Sequence, residues 1–306
     1  MAVTERFTLS SGYDRLKISV LAVWPEGKPE AILQVAHGMY GYKERFLPFM
    51  DYMAENGVLC VANDHRGHGA SVLSDKDLGY MYAGGWEALV EDMRLVSSWA
   101  MSKCPDCPLY LLGHSMGSMA ARVYAKRYDG LLSGMIVCGS PEKNPFTDLG
   151  LVMTRMISML GGERLRPVII QKLTSGFYNR RFSEEGPQAW TCSDPEVRRS
   201  YAANPLSHFR FTVNGQHALL GLMHETYSSE GWEMNNRNMP VLFISGADDP
   251  CMGSEQSFHR GAMLMHSLGY RNVTSAIYPS MRHEILNEIG KEMVWKDVLK
   301  FVQTAG

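Results

Sequence analysis

Leu109-Tyr110-Leu111-Leu112-Gly113-His114-Ser115-Met116-Gly117-Ser118 is the stretch on which the reading of this chain turns. Four apolar residues run without alternation, as in a strand covered on both faces. They meet the pattern G-x-S-x-G, and residues 116–128 then have the composition of a helix. A strand that turns sharply into a helix around a serine thrusts the hydroxyl out at the carboxyl edge of a sheet. Such a turn leaves little room two residues before and after the serine, where Gly113 and Gly117 stand. The new helix aims its first amides at the same point, where negative charge is stabilised. The five-residue pattern alone is a weak signal. Placed between strand and helix it makes Ser115 a candidate nucleophile.

Outward from that turn, short apolar runs recur at 16–24, 31–36, 58–63, 132–138, 241–245 and 273–278. Residues 7–10 can pair with 16–24 as a hairpin. Helical spacing separates the runs: Phe46, Phe49, Met50 and Met53, then Leu89, Met93, Val96 and Ala100. Further helices are predicted at about 254–268 and over a final stretch ending near Val302. Alternating strands and helices imply βαβ units and a mostly parallel central sheet flanked by helices, an α/β fold. The rhythm breaks after Pro141. Residues 141–238 hold few β-rich runs and many helix formers, punctuated by Pro145, Pro167, Pro187, Pro195 and Pro205. The chain therefore reads as one α/β domain, 1–140 and 239–306, with a helical cap inserted at 141–238.

Composition narrows the function. With 45% hydrophobic and 20% charged residues, the chain has the profile of an ordinary globular protein rather than a disordered one. The net charge of −2 favours neither nucleic acid nor an anionic membrane as partner. No basic n-region with an apolar stretch opens the chain, and no run of 18 apolar residues appears. A cytoplasmic protein without a transmembrane segment is the expectation. Cys104-Pro105-Asp106-Cys107 has C-x-x-C spacing but sits in a turn before a strand, and no second ligand pair accompanies it. It reads as a loop with two incidental thiols, and no metal or cofactor site is predicted.

A serine needs a base within hydrogen-bond reach. In a sheet of this kind the partners follow in the order serine, acid, histidine. His283, on the loop after the run 273–278, has the position for the base. The acid belongs after 241–245, where Gly246-Ala247-Asp248-Asp249-Pro250 offers two carboxylates. Asp249, just before the proline, is preferred, and Asp248 is left to cap the turn. The tetrahedral intermediate needs two amide donors. Met116 N–H is one, and Met39 N–H, in His37-Gly38-Met39-Tyr40 after 31–36, is the other. In Asp64-His65-Arg66-Gly67-His68-Gly69, Asp64 and Arg66 are expected to pin the loops beside that hole.

These motifs together resemble the monoacylglycerol lipase and lysophospholipase branch of the α/β hydrolases, grouped with serine aminopeptidase-like hydrolases. The resemblance rests on His37-Gly38-Met39, Asp64-x-Arg66-Gly67-His68-Gly69-x-Ser71, Gly113-His114-Ser115-Met116-Gly117, the 246–250 turn and Arg282-His283-Glu284-Ile285-Leu286-Asn287-Glu288. It spans about 15–304. It implies the α/β-hydrolase fold and a cofactor-independent hydrolase of lipid-like or small carboxylic esters, with the roles above on Ser115, Asp249, His283, Met39 and Met116. One departure stands out. Where the family often has Glu-His, this chain has Gly41-Tyr42, while Arg45 is kept.

Substrate contacts are assigned to Tyr40, Met153 and Met156. The two methionines lie on a stripe with Leu149, Val152, Ile157 and Leu160 that can either pack on the core or roof an acyl pocket. Two other readings use the same residues. A peptidase would want a carboxylate near the substrate amine, for which Glu184, Glu185 and Glu225 are available. A non-enzymatic binding module would more naturally have lost one of the three catalytic residues.

Overall fold

Every apolar run named above becomes a strand of one sheet. The computed structural model describes residues 2–304, apart from the side chains of Leu173, Thr174 and Ser175. Strands β1 (Val3–Ser10), β2 (Lys17–Trp24), β3 (Ala31–Ala36), β4 (Val58–Asn63), β5 (Leu109–His114), β6 (Gly134–Cys138), β7 (Val241–Gly246) and β8 (Val273–Tyr278) lie in the order β1-β2-β4-β3-β5-β6-β7-β8. β1 and β2 form the expected hairpin, and β2 runs antiparallel to β4. From β4 to β8 all neighbours are parallel.

The inner strands β3 to β6 are buried on both faces because helices cover both, while the edge strand β8 stays partly open. On β5, Leu109 and Leu111 face one core, while Tyr110 and Leu112 face the other. The first core is closed by α2 (Gly85–Lys103), α3 (Met116–Tyr128) and α8 (Glu255–Leu268). The second is closed by α1 (Leu47–Glu55) and α9 (Lys291–Thr304). Ser254 caps α8 by accepting the Ser257 N–H at 3.1 Å. Register sets Ala36 opposite Gly113, Cys138 opposite Ile244, and Gly246 opposite Tyr278. The loops leaving β3, β5, β7 and β8 therefore emerge along one edge of the sheet, where ligands bind in such folds.

Between β6 and β7 the chain forms α4 (Thr147–Met159), α5 (Val168–Ser175), α6 (Pro195–Ala203) and α7 (Val213–Tyr227), joined by 3₁₀ turns and with no strand among the described residues. α7 packs against α2 and α3 as well as α4, and Ala218 and Leu222 are buried in the first core. α4 turns a narrow face to α7. Gly150 sits against Leu220, and Thr154 Oγ1 lies 2.8 Å from His217 Nδ1. Its apolar stripe points outward instead, with Val152 56%, Met156 61% and Leu160 88% exposed. Met153 and Ile157 on the same stripe are only partly buried, and Met153 borders Ile170 and Leu220 rather than the sheet.

The two thiols of the C-x-x-C turn are not free. Cys104 and Cys107 are joined by a disulfide, their Cα atoms 5.4 Å apart and so within reach of that bond. The expectation of incidental thiols is corrected: periodicity carries no information on whether two nearby sulfurs point at each other.

Candidate active site

Ser115 occupies the turn from β5 into α3 with φ +55° and ψ −118°. Side chains seldom adopt that conformation, and it persists where surroundings over-determine it. Here they do. A Cβ on Gly113 would strike the Gly117 carbonyl, and one on Gly117 would strike the Ala36 carbonyl. The Ser115 N–H is tied to the Cys138 carbonyl at 2.9 Å.

His283 stands on the loop after β8, buried, with Nδ1 2.9 Å from Asp249 Oδ2. Asp249 is buried too and is fully occupied. Its Oδ1 accepts the Cys251 N–H at 2.8 Å, and its Oδ2 also accepts the Ser245 hydroxyl at 3.1 Å. Burial alone would lower the His283 pKa, but the Asp249 carboxylate outweighs it and holds the imidazole well above its ordinary value. Asp248 points elsewhere. Its Oδ1 pairs with Arg181 Nη2 at 2.6 Å, and both side chains are partly open to solvent. His114, next to the serine, borders the same cavity and sets Nε2 3.1 Å from the His283 carbonyl. Burial lowers its pKa to about 4, so it is neutral and able to donate there.

Met39 follows β3, and its N–H meets no acceptor among the described residues. Met116 opens α3, where the first amides lack partners within the helix. Gly38 runs so close that a Cβ there would come 2.9 Å from Ser115 Cβ. Asp64 secures this loop by taking the Lys43 N–H at 2.8 Å and the Lys43 ammonium at 2.7 Å, both side chains buried. Arg66 does not touch it. It binds Asp92 at 2.9 Å and Asp14 at 3.1 Å, tying α2 to the β1–β2 turn.

Ser115, His283, Met39 and Met116 all line one cavity of about 470 Å³. Tyr40 lines it as well, and its hydroxyl accepts from Gln171 at 2.9 Å. Met153 and Met156 do not. Met156 is on the outward face of α4, and Met153 borders a small separate cleft with Ile170 and Leu220. The apolar wall is made instead by Met119, Leu219, Leu220 and Met223, from α3 and α7. A polar part holds Arg45 and Glu284, paired at 2.7 Å, with Arg45 3.5 Å over the Tyr201 ring. Arg45 overcomes the burial of Glu284 and holds that carboxyl down to about 2. Trp190, its ring 4.9 Å from that of His283, and Tyr178 come from irregular turns that no periodicity marks. Glu284 had a signal, since it adjoins His283 in the quoted motif.

A mostly parallel sheet with the serine at its strand-to-helix turn and a buried histidine–carboxylate pair at the same edge defines an α/β hydrolase. The chain belongs to the family described as serine aminopeptidase, S33, whose model matches residues 27–290. It is similar to the monoacylglycerol lipase of Mycolicibacterium smegmatis, 28% identical over 293 residues and 92% of each chain. It is also similar to the monoglyceride lipase of Mus musculus, 29% identical over 87% of this chain and 79% of that one. Among solved structures, a thermostable carboxyl esterase from Bacillus coagulans in complex with glycerol has a TM-score of 0.91 at 24% identity, covering 99% of both chains. A soluble variant of the Saccharomyces cerevisiae monoglyceride lipase has 0.75 at 18% identity, covering 100% of this chain and 98% of that one. At such identities these two likenesses speak for the fold alone.

Proposed function

We propose that this ester hydrolase of monoacylglycerol lipase type cleaves acyl esters of glycerol or related alcohols through Ser115, His283 and Asp249. The observation that carries the reading is the buried His283–Asp249 pair opening onto the same cavity as the strained Ser115. Ser115 Oγ attacks the ester carbonyl carbon as His283 Nε2 takes its proton. The oxyanion takes hydrogen bonds from Met39 and Met116 N–H. Collapse expels the alcohol, protonated by His283, and leaves an acyl-serine that water hydrolyses by the same steps. Asp249 holds the imidazole with Nδ1–H toward it and stabilises the imidazolium. Asp248, engaged by Arg181, has no part. The inserted cap 141–238 on a 1–140 and 239–306 core belongs to this proposal. Among the described residues no helix is long and apolar enough to cross a membrane.

The peptidase reading finds little support. Among the described residues Glu284 is the sole carboxylate in the cavity lining, and Arg45 occupies it. Glu184, Glu185 and Glu225 do not line it.

The apolar wall gives the test. Each buried methylene contributes about 0.8 kcal/mol, so kcat/KM is expected to rise from acetyl toward medium-chain p-nitrophenyl or glyceryl esters. Met223→Gln is expected to flatten the rise while acetyl-ester turnover stays within about threefold, since removing apolar contact with the chain costs binding rather than chemistry. A profile that peaks at acetyl and falls by butyryl would leave a small-ester carboxylesterase in its place. The metal question has its own measurement. Asp249, Cys251 and His283 are the one trio of close potential metal ligands among the described residues, and the proposal already uses two of them. Dialysis against EDTA is expected to leave the rate unchanged, and a loss restored by zinc would overturn the cofactor-independent mechanism.

A further inference from the structure

His37 is buried beneath the loop that follows β3, and the mechanism above gives it no role. Both of its ring nitrogens are engaged. Nδ1 lies 2.8 Å from the Gly38 carbonyl oxygen, and Nε2 accepts the His65 N–H at 2.9 Å. A carbonyl only accepts and a backbone N–H only donates. The ring is therefore neutral, with its hydrogen on Nδ1. Burial drives the His37 pKa well down, with His65 and His68 acting in the same direction, in keeping with that form. The Gly38 carbonyl also accepts the Gly41 N–H at 2.9 Å. Gly41 fits closely here, since a Cβ there would come 3.1 Å from the Gly38 oxygen and 3.2 Å from His37 Nδ1.

The Gly38 carbonyl and the Met39 N–H belong to one planar trans peptide, so they point in opposite directions. Two donors pull the carbonyl inward, and the N–H is turned outward, toward the cavity that Gly38 and Met39 line. His68 anchors the following peptide in the same manner, its Nε2 2.7 Å from the Met39 carbonyl. We infer that His37 is a positioning residue for the oxyanion hole: its Nδ1–H, bonded to the Gly38 carbonyl, aims the Met39 N–H at the transition state. This rests on the reading of Met39 as an oxyanion donor.

Two substitutions separate that role from simple packing. In His37→Asn the amide nitrogen stands where Nδ1 was and can still bind the Gly38 carbonyl, while the His65 tie is lost. In His37→Gln the amide oxygen stands where Nε2 was and keeps His65, while the donor to Gly38 is lost. H37Q is expected to lower kcat about 10²-fold with KM within about twofold, because a donor misplaced by about 1 Å costs on that order. H37N is expected to stay within about fivefold of wild type. Affinity for a trifluoromethyl ketone with a matching acyl chain is expected to fall in H37Q in parallel with kcat/KM. Equal losses in the two variants, a rise in KM at constant kcat, or unchanged ketone affinity in a slowed H37Q would each overturn the inference. Fluorophosphonate uptake at Ser115, read by intact mass in the wild type, tests the underlying nucleophile separately.

Discussion

Ser115→Ala is expected to lower kcat on a p-nitrophenyl ester by about 10⁴-fold or more, as removal of a nucleophile that acts in concert with its base does. The loss is expected without unfolding. The side chain of Ser115 opens onto the cavity rather than filling a core, so alanine creates no packing void. The turn is held by glycine contacts and by the Ser115 N–H to Cys138 bond, which alanine keeps. Far-UV circular dichroism and Tm should match wild type. Wild type should gain the mass of one fluorophosphonate adduct, and the variant none. Near-native turnover in the variant would end the serine-hydrolase mechanism. Labelling that persists in the variant would place the nucleophile elsewhere.

The two adjacent aspartates give the second large effect. Asp249→Asn removes the charge 2.9 Å from His283 Nδ1 that is proposed to fix its tautomer, and the same change in a protease triad costs about 10⁴-fold in kcat. Asp248→Asn removes only a solvent-exposed pair with Arg181, and such pairs contribute at most about 1 kcal/mol. Its activity is expected within about threefold of wild type. The pH dependence has a definite sign. His283 must be neutral to act as base, and Asp249 holds its pKa well up. The acid limb of kcat/KM is therefore expected above the ordinary histidine value of about 6.5. In Asp249→Asn the limb should move to lower pH, because the charge that chiefly opposes burial is gone. Stability runs the other way. A folded pKa raised above the unfolded one stabilises fully below about 6.5 and loses its contribution as pH climbs through the raised value. A large loss in Asp248→Asn with a mild one in Asp249→Asn would transfer the acid to Asp248.

What could be read in the sequence was local and periodic. The runs 31–36 and 58–63 and the helix 116–128 were legible to the residue, because a strand buried on both faces and a helix entered through a glycine turn leave strong marks. The placing of His283 and Asp249 followed from strand order. The α4 stripe shows the limit. Periodicity identified an amphipathic helix at Met153 and Met156, but which side meets the protein was decided by Gly150 and Thr154 fitting against α7. The apolar wall lies on α7 and α3 instead, and the placing of Met119 and Met223 on one cavity from so long a separation leaves no local trace. Tyr178 and Trp190 sit in 3₁₀ turns without a period. The Arg45–Glu284 pair joins two ends of the chain, so its partners could be named but not matched.

The pairing of β6 with β7 has a kinetic consequence. The two strands are parallel neighbours, yet residues 139–240 lie between them in the chain. Closing so long a loop costs entropy before any contact repays it, and non-local parallel pairing is slow for that reason. β1 to β6, with α1 to α3 and the Ser115 turn, form a block whose connections are short by comparison. Asp249 and His283 arrive only with β7 and β8. In refolding from denaturant, helical signal is therefore expected to return ahead of esterase activity. Activity should reappear with the burial of Phe243 and Phe258, which bring β7 and α8 into the first core. The Ser115 turn is expected to take shape early, and the proposed chemistry to wait for the far side of the sheet.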